Sequence, residues 1–411
     1  MKRTAERARS IGRGVRGMLA MSAPAPVDST LVAATIALLG FGVVMVYSAS
    51  SYEATVRLGD AQFYVKRQAI YVALALGVMW LASRFDYRKL RPFTYFILGG
   101  VMLAMAATVF GFGHRAGNAY RWLKVGPVHI QPSEMAKVAL VLWLAYSLSK
   151  KADKIRTFWV GFVPHMITVG ALTVLCLMQP DFGSAVVLTM ITFALMFVAG
   201  GRLSYILASV SLAVGAAILL VRLSPYRMAR WMAFSNMDEH RQSLAYQPFQ
   251  SVMSFGSGGF GGLGLGRGYQ VLYLPEAHTD FIAAIVGEEL GFVGIALLLA
   301  TFGVVVWRGV AIALAAADDY GTYIAFGLST LLGTQVLLNL SVALAIVPTK
   351  GLTLPFLSYG GSSLLVSAAS IGLLLNVSRH AHRAPDPISA PPAAAAESAS
   401  MLVATAAEDG A

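Results

Sequence analysis

A single cysteine, Cys176, stands in the whole chain. An intrachain disulfide is therefore impossible, and a CxxC metal or redox site is excluded with it. Charge is also scarce. Asp, Glu, Lys and Arg make up 12% of 411 residues, too little to cover a soluble protein of this size. Apolar residues fill the gap, at 57%. They recur in runs of about 20, the length that crosses a hydrocarbon core roughly 30 Å thick. The composition predicts an all-α polytopic membrane protein. A formal net charge of +11 would suit nucleic acid, but here it reads as basic loops that hold the topology, and no nucleic acid is expected as a partner.

The apolar pattern predicts about ten transmembrane helices, at about 29–49, 67–83, 92–112, 134–149, 158–178, 183–200, 203–222, 280–306, 322–346 and 358–378. An even number puts both termini on one side. Lys2, Arg3, Arg7, Arg9, Arg13 and Arg16, then Arg84, Arg88, Lys89 and Arg91, then Lys150, Lys151, Lys154 and Arg156 mark that side as cytosolic. Residues 1–28 read as a cytosolic basic arm, whose apolar stretch is too short for a signal-peptide core. Residues 379–411, with "APPAAAAESAS", read as a disordered cytosolic tail. The opposite face receives the loop around Arg121, the "QPDFGS" turn and a large extracytoplasmic loop at 223–279, between spans 7 and 8.

That large loop re-enters the membrane at "LPEAHTDF", residues 274–281, which holds Glu276, His278 and Asp280. Asp280 is placed to cap the following helix. A partly desolvated carboxylate at a membrane face can also serve as a general base. Glu288 and Glu289 follow inside the helix, where adjacent carboxylates predict a water-filled interior. Glu134 and Lys137 lie three apart and share a helix face, which suits either an ion pair or a polar cavity. Gln335 and Asn339 form a further polar stripe, read as interhelical hydrogen bonding.

Arg227 and Arg230, also three apart, would aim two guanidinium forks at one phosphate or pyrophosphate, or else simply meet lipid headgroups. Arg121 and Trp122 place a cation beside an interface aromatic. The stretch "FGSGGFGGLGLGRG" contains a G-x-G-x-x-G spacing, yet no strand precedes it and no Walker lysine occurs. Its glycines instead suit a close approach to other backbone. In "PTKGLTLPFLSYGGSSLL", Pro348, Gly351, Pro355, Gly360 and Gly361 suggest a broken helix lining a cavity.

Taken together, "RWLKVGPVHIQPSEMAK", "QPDFGSA", "YQPFQSVMSFGSGGFGGLGLG", "LPEAHTDFIAAIVGEELGF" and "PTKGLTLPFLSYGGSS" resemble the SEDS family of bacterial cell-wall proteins, in order and spacing. "AYQPFQS" and "PTKGL" are closest to the division branch, and a sporulation-type relative shares these features. The resemblance implies a ten-span SEDS fold in the bacterial inner membrane. It implies a peptidoglycan glycosyltransferase that polymerises lipid II onto an undecaprenyl-diphosphate-linked glycan at the division septum. A class B penicillin-binding protein, a transpeptidase of the FtsI type, and other divisome membrane proteins would be its partners. The family's essential aspartate falls on Asp280, and its polar cavity residues on Glu134 and Lys137. Trp122 matches the "RW" tryptophan, and Ala283 stands where an aromatic is common.

On that reading Asp280 activates the acceptor hydroxyl. Arg227 and Arg230, with Lys137 steering anionic substrate, face the pyrophosphate. Arg121, Trp122, Glu276, His278, Gln250 and Ser251 complete the candidate substrate site. No cofactor is assigned; a divalent cation, Mg or Mn, is left open, since no dedicated cage of ligands is visible. A lipid II flippase and a non-catalytic divisome scaffold are the rival functions.

Overall fold

The computed structural model describes residues 27–116, 119–126 and 128–381. The basic arm and the tail expected from the sequence lie outside the described residues, apart from their inner ends.

Helices form where the apolar runs predict them, and polar residues mark their ends. α1 spans Ser29–Leu58; the Asp28 carboxylate accepts from the Leu31 N–H at its start, and Gly59 closes it at φ 72°. α2 covers Phe63–Arg84 and α3 Thr94–Ala107, joined by a 3-10 turn at Tyr87–Phe93. Three short strands follow: β1 His114–Ala116, β2 Ala119–Val125 and β3 Val128–Ile130, an antiparallel meander in the order β1-β2-β3. Then come α4 Pro132–Lys150, α5 Val163–Met178, α6 Phe182–Val198 and α7 Leu203–Leu223. α8 Pro225–Ser235 and α9 Tyr246–Gly258 lie within the stretch expected as a large loop. α10 Ile282–Leu314, α11 Asp319–Ala343 and α12 Gly361–Arg379 complete the chain.

A helix occupies each of the ten expected spans. Eight among the described residues are long and apolar enough to cross a membrane. α6 is apolar but shorter, and α4 carries Glu134 and Lys137 in its first turns. The protein is a multi-pass membrane protein whose described secondary structure is helical apart from the small meander, a segment the apolar pattern predicts as loop.

Two polar assemblies mark the two ends of the bundle. At one end Asp318 caps α11 through the Gly321 N–H at 2.7 Å and pairs with Arg88 at 3.1 Å and Arg91 at 3.0 Å. There Asn376 accepts from the Tyr87 N–H and donates to the Ser83 carbonyl. Arg308 of α10 reaches Asp28, 280 residues earlier, at 2.9 and 2.6 Å. Asp280 lies at the other end.

α10 is not one continuous helix. Gly291 sits at φ 63°, ψ −161°, a region open essentially to glycine alone, and breaks it. The break frees two N–H groups and two carbonyls that would be costly if buried unpaired. The glycine-rich segment after α9 takes all four. Leu263 and Gly264 N–H donate to the Glu288 and Glu289 carbonyls at 3.0 and 2.9 Å. Phe292 and Val293 N–H donate to the Gly259 and Phe260 carbonyls at 2.9 and 3.2 Å. Ile282–Glu289 is buried throughout, whereas Phe292 and Val293 are exposed. The close approach expected of these glycines is what the structure contains. A Cβ at Gly291 would strike the Gly262 nitrogen and the Phe260 carbonyl. Gly291→Ala is therefore expected to cost at least about 1–3 kcal/mol, seen as a lower melting temperature in detergent; an unchanged melt would contradict this account of the break.

Candidate active site

Asp280 is held by its backbone and left free at its side chain. The carbonyl of Glu276, whose φ is 59°, accepts from the N–H groups of Thr279, Asp280 and Phe281 at 3.2, 3.1 and 3.2 Å. The Asn339 amide donates to the Asp280 carbonyl at 2.9 Å and to that of Leu352 at 2.5 Å, tying the turn to the 344–360 segment. Gly351 packs on the carboxylate; a Cβ there would lie 3.0 Å from Oδ2. Burial, then the nearby charges of Glu276 and Asp181, push the Asp280 pKa up to about 7, against a pull downward from Arg121. A carboxylate poised there is half-ionised near neutrality, which suits a general base.

The facing wall comes from β2 and the ends of α4, α5 and α6. Arg121 donates to the Gln179 carbonyl at 2.8 Å and to the Pro180 carbonyl at 2.5 Å, so it holds the "QPDFGS" turn. Asp181 caps α6 through the Ser184 N–H at 3.1 Å and accepts from Ser133 at 2.9 Å. Glu134 and Lys137 pair at 2.6 Å. Lys137 has no exposed surface, so it does not face an open cavity as the sequence suggested. Its ammonium is engaged by Glu134 on the same helix face.

Other expectations also shift. Arg227 turns back to the Leu220 carbonyl at 3.5 Å, while Arg230 reaches the Thr349 carbonyl at 3.4 Å. Their spacing on α8 thus sends the two forks to different elements rather than to one point. Ser251 is buried and donates to the Ala343 carbonyl at 2.5 Å, which fixes α9 rather than facing substrate. Gln250 is half-buried on the same helix, its carbonyl accepting from Ser254 at 3.0 Å. Trp122 is half-buried on β2, paired with His114. Glu276 is exposed and accepts from Thr279 at 2.8 Å.

His278 is buried against Tyr64 and Tyr359, with ring centroids 4.5 and 5.7 Å away, and its carbonyl accepts from the Tyr359 N–H at 2.9 Å. Burial lowers its pKa, against the opposing pull of Glu53 at 3.5 Å and of Glu276. Glu288 and Glu289 are buried without opening onto a water-filled interior. Glu288 accepts from the Tyr269 and Gln270 N–H groups, and Glu289 from the Ser48 hydroxyl at 2.5 Å.

Two residues at this end were missed as site candidates. Asp181 bears on Asp280 electrostatically; its helix-starting "QPDFGS" context was the available signal. Lys350 lies over the Phe182 ring at 4.3 Å and has no acidic partner among the described residues. Burial lowers it to about 8. It stood inside the quoted "PTKGL", read there only as chain geometry. Among the described residues no group of three or more His, Cys, Asp or Glu side chains is placed to hold a metal ion.

Apolar helices bearing a titratable carboxylate in a polar site at one end define a multi-pass membrane protein with an enzyme-like centre. The chain belongs to the cell cycle protein family of FtsW, RodA and SpoVE, whose model matches residues 29–383. It is 44% identical over 353 residues to a probable peptidoglycan glycosyltransferase FtsW of Geobacter metallireducens, covering 85% of this chain and 94% of that protein. Among solved structures it resembles a chain of a peptidoglycan synthase complex that coordinates polymerization and crosslinking. That match has a TM-score of 0.71 and 31% identity, over 86% of this chain and 98% of the other. The rod shape determining protein RodA of Thermus thermophilus matches at TM-score 0.66 and 29% identity, over 87% and 99%.

Proposed function

We propose that this chain is a peptidoglycan glycosyltransferase that polymerises lipid II during septal cell-wall synthesis. The observation that carries the reading is Asp280, a carboxylate with no hydrogen-bond donor among the described residues, raised to about 7 and facing a polar site. The 4-hydroxyl of one lipid-linked sugar attacks C1 of the other. Asp280 takes the hydroxyl proton as the new C–O bond forms. The bond from C1 to the pyrophosphate breaks, and undecaprenyl diphosphate leaves with the electron pair. Direct displacement inverts C1. Lys350, one residue before the Gly351 that packs on Asp280, and Arg230, which reaches the Thr349 carbonyl, are the cations this reading assigns to the leaving pyrophosphate.

Both substrates are anchored in the outer leaflet. The arginine-rich end with Asp318 then faces the cytosol, in line with the positive-inside rule, and the Asp280 end faces outward. This orientation supports cytosolic termini, and the ten helices at the expected spans support ten crossings. The similarity to a synthase complex supports a class B penicillin-binding transpeptidase as partner.

The test is synthesis of glycan from lipid II by the purified protein in detergent. No membrane remains there to be crossed, so a flippase makes no polymer, and absence of polymer would overturn the reading. Within it, Lys350→Met is expected to lower turnover roughly ten- to a hundredfold, the worth of one charge-assisted hydrogen bond. Arg227→Lys should stay near wild type. Equal turnover of wild type and Lys350→Met would remove Lys350 from the site.

A further inference from the structure

The transfer derived above makes no use of Glu288, yet this side chain closes a ring around Asp280. Its Oε1 accepts from the N–H groups of Tyr269 at 2.8 Å and Gln270 at 3.1 Å, and Oε2 accepts from Gln270 at 3.2 Å. From Gln270 the chain runs through the Glu276 turn and Asp280 into α10, then back to Glu288, 18 residues after Gln270. Gly268 allows the approach, since a Cβ there would lie 2.8 Å from Oε2. The half-helix Ile282–Leu290 is in turn fixed at its far end by the strand-like exchange across Gly291.

We propose that Glu288 is a positioning residue for Asp280, which acts by holding the Tyr269 and Gln270 backbone and so fixing the 269–281 return segment. This rests on the polymerase reading. Glu288 itself is 1% exposed with both oxygens engaged, so it does not touch substrate. Closing a short ring removes conformational freedom from every residue inside it. A base displaced by about 1 Å can lose a large part of its rate.

The chemistry required of Glu288 is acceptance, not charge. One oxygen already takes both amides, and a glutamine oxygen can do the same. Glu288→Gln should therefore behave as wild type. Glu288→Asp keeps the charge but withdraws the oxygens by a methylene, and Gly268→Ala pushes against them from the loop side. The groups that face Asp280 are Glu276 in its own turn, Arg121 on β2 and Asp181 ahead of α6; Gly351 and Asn339 pack there without charge. A loosened segment exposes Asp280 to water and lets its titration fall toward the ordinary carboxylate range.

The experiment compares these three variants with the wild-type chain in detergent, at varied lipid II concentration and pH. Glu288→Gln is expected within about threefold of wild-type kcat. Glu288→Asp and Gly268→Ala should lose roughly tenfold in kcat with KM within about threefold. Their acid limbs should move to lower pH. A Glu288→Gln loss as large as that of Glu288→Asp, or a Glu288→Asp profile identical to wild type, overturns the proposal. Hydrogen–deuterium exchange over 269–281 reads the same ring without turnover. It should quicken in Glu288→Asp and not in Glu288→Gln; equal exchange in both overturns the positioning role. A wild type that makes no glycan would defeat the polymerase reading instead, while the exchange result still decides the ring.

Discussion

Asp280→Asn is expected to insert and fold as the wild type and to lose lipid II polymerisation by at least about two orders of magnitude. Asparagine keeps the size of the side chain but cannot accept the acceptor's proton. Near-normal turnover by a folded Asp280→Asn protein would remove Asp280 as the base and favour a scaffold. The wild type carries a matching pH signature. The base works only when ionised, so turnover should fall as pH drops through about 7. Stability runs the other way. Burial favours the neutral acid, so the folded state keeps a proton that the unfolded chain releases near the ordinary 3.8. Between 3.8 and about 7 the folded state binds more protons than the unfolded one, and stability declines as pH rises across that window. Asp280→Asn should flatten this slope in detergent melting curves. A slope that survives the substitution unchanged belongs to other groups.

Lys137→Met carries the second large expectation. It leaves Glu134 buried with its ion-pair partner gone, since the pair is 2.6 Å long and Lys137 has 0% exposure. Removing one member of a buried pair costs roughly 3–5 kcal/mol, mostly the penalty on the stranded charge. The double variant Glu134→Gln, Lys137→Met strands nothing and should recover most of that stability, and its activity with it. The family resemblance favours the opposite result, a well-folded but inactive double variant, because it puts this pair beside the catalytic cavity. Melting and polymerisation assays on the two single variants and the double decide between them. A well-folded double variant without activity would return Lys137 to the substrate.

The helices were legible because apolar runs and charged loops are local properties. So was Asp280, flagged by a carboxylate at the mouth of a span. What the sequence hid were partners far along the chain. Glu288 and Glu289 looked like the lining of a wet cavity because nothing local shows that the amides of residues 269–270 and the hydroxyl of Ser48 come to meet them. Arg227 and Arg230 shared a helical spacing, but spacing sets direction from the axis and not what each fork finds. Lys350 was overlooked since its lack of a counter-ion among the described residues depends on how distant parts of the chain meet. The meander at 114–130 has strands of three to seven residues, too short for an alternation to register.

The contact between Asp28 and Arg308 has a bearing on biogenesis. Helix α1 is tied, at the residue that caps its start, to a helix made 280 positions later. Until α10 has been released into the bilayer, the α1 terminus holds a carboxylate with no guanidinium to meet it. A chain stalled or truncated before Arg308 would leave that first helix without its latch, and its α1 end should be open to proteases that the finished protein resists.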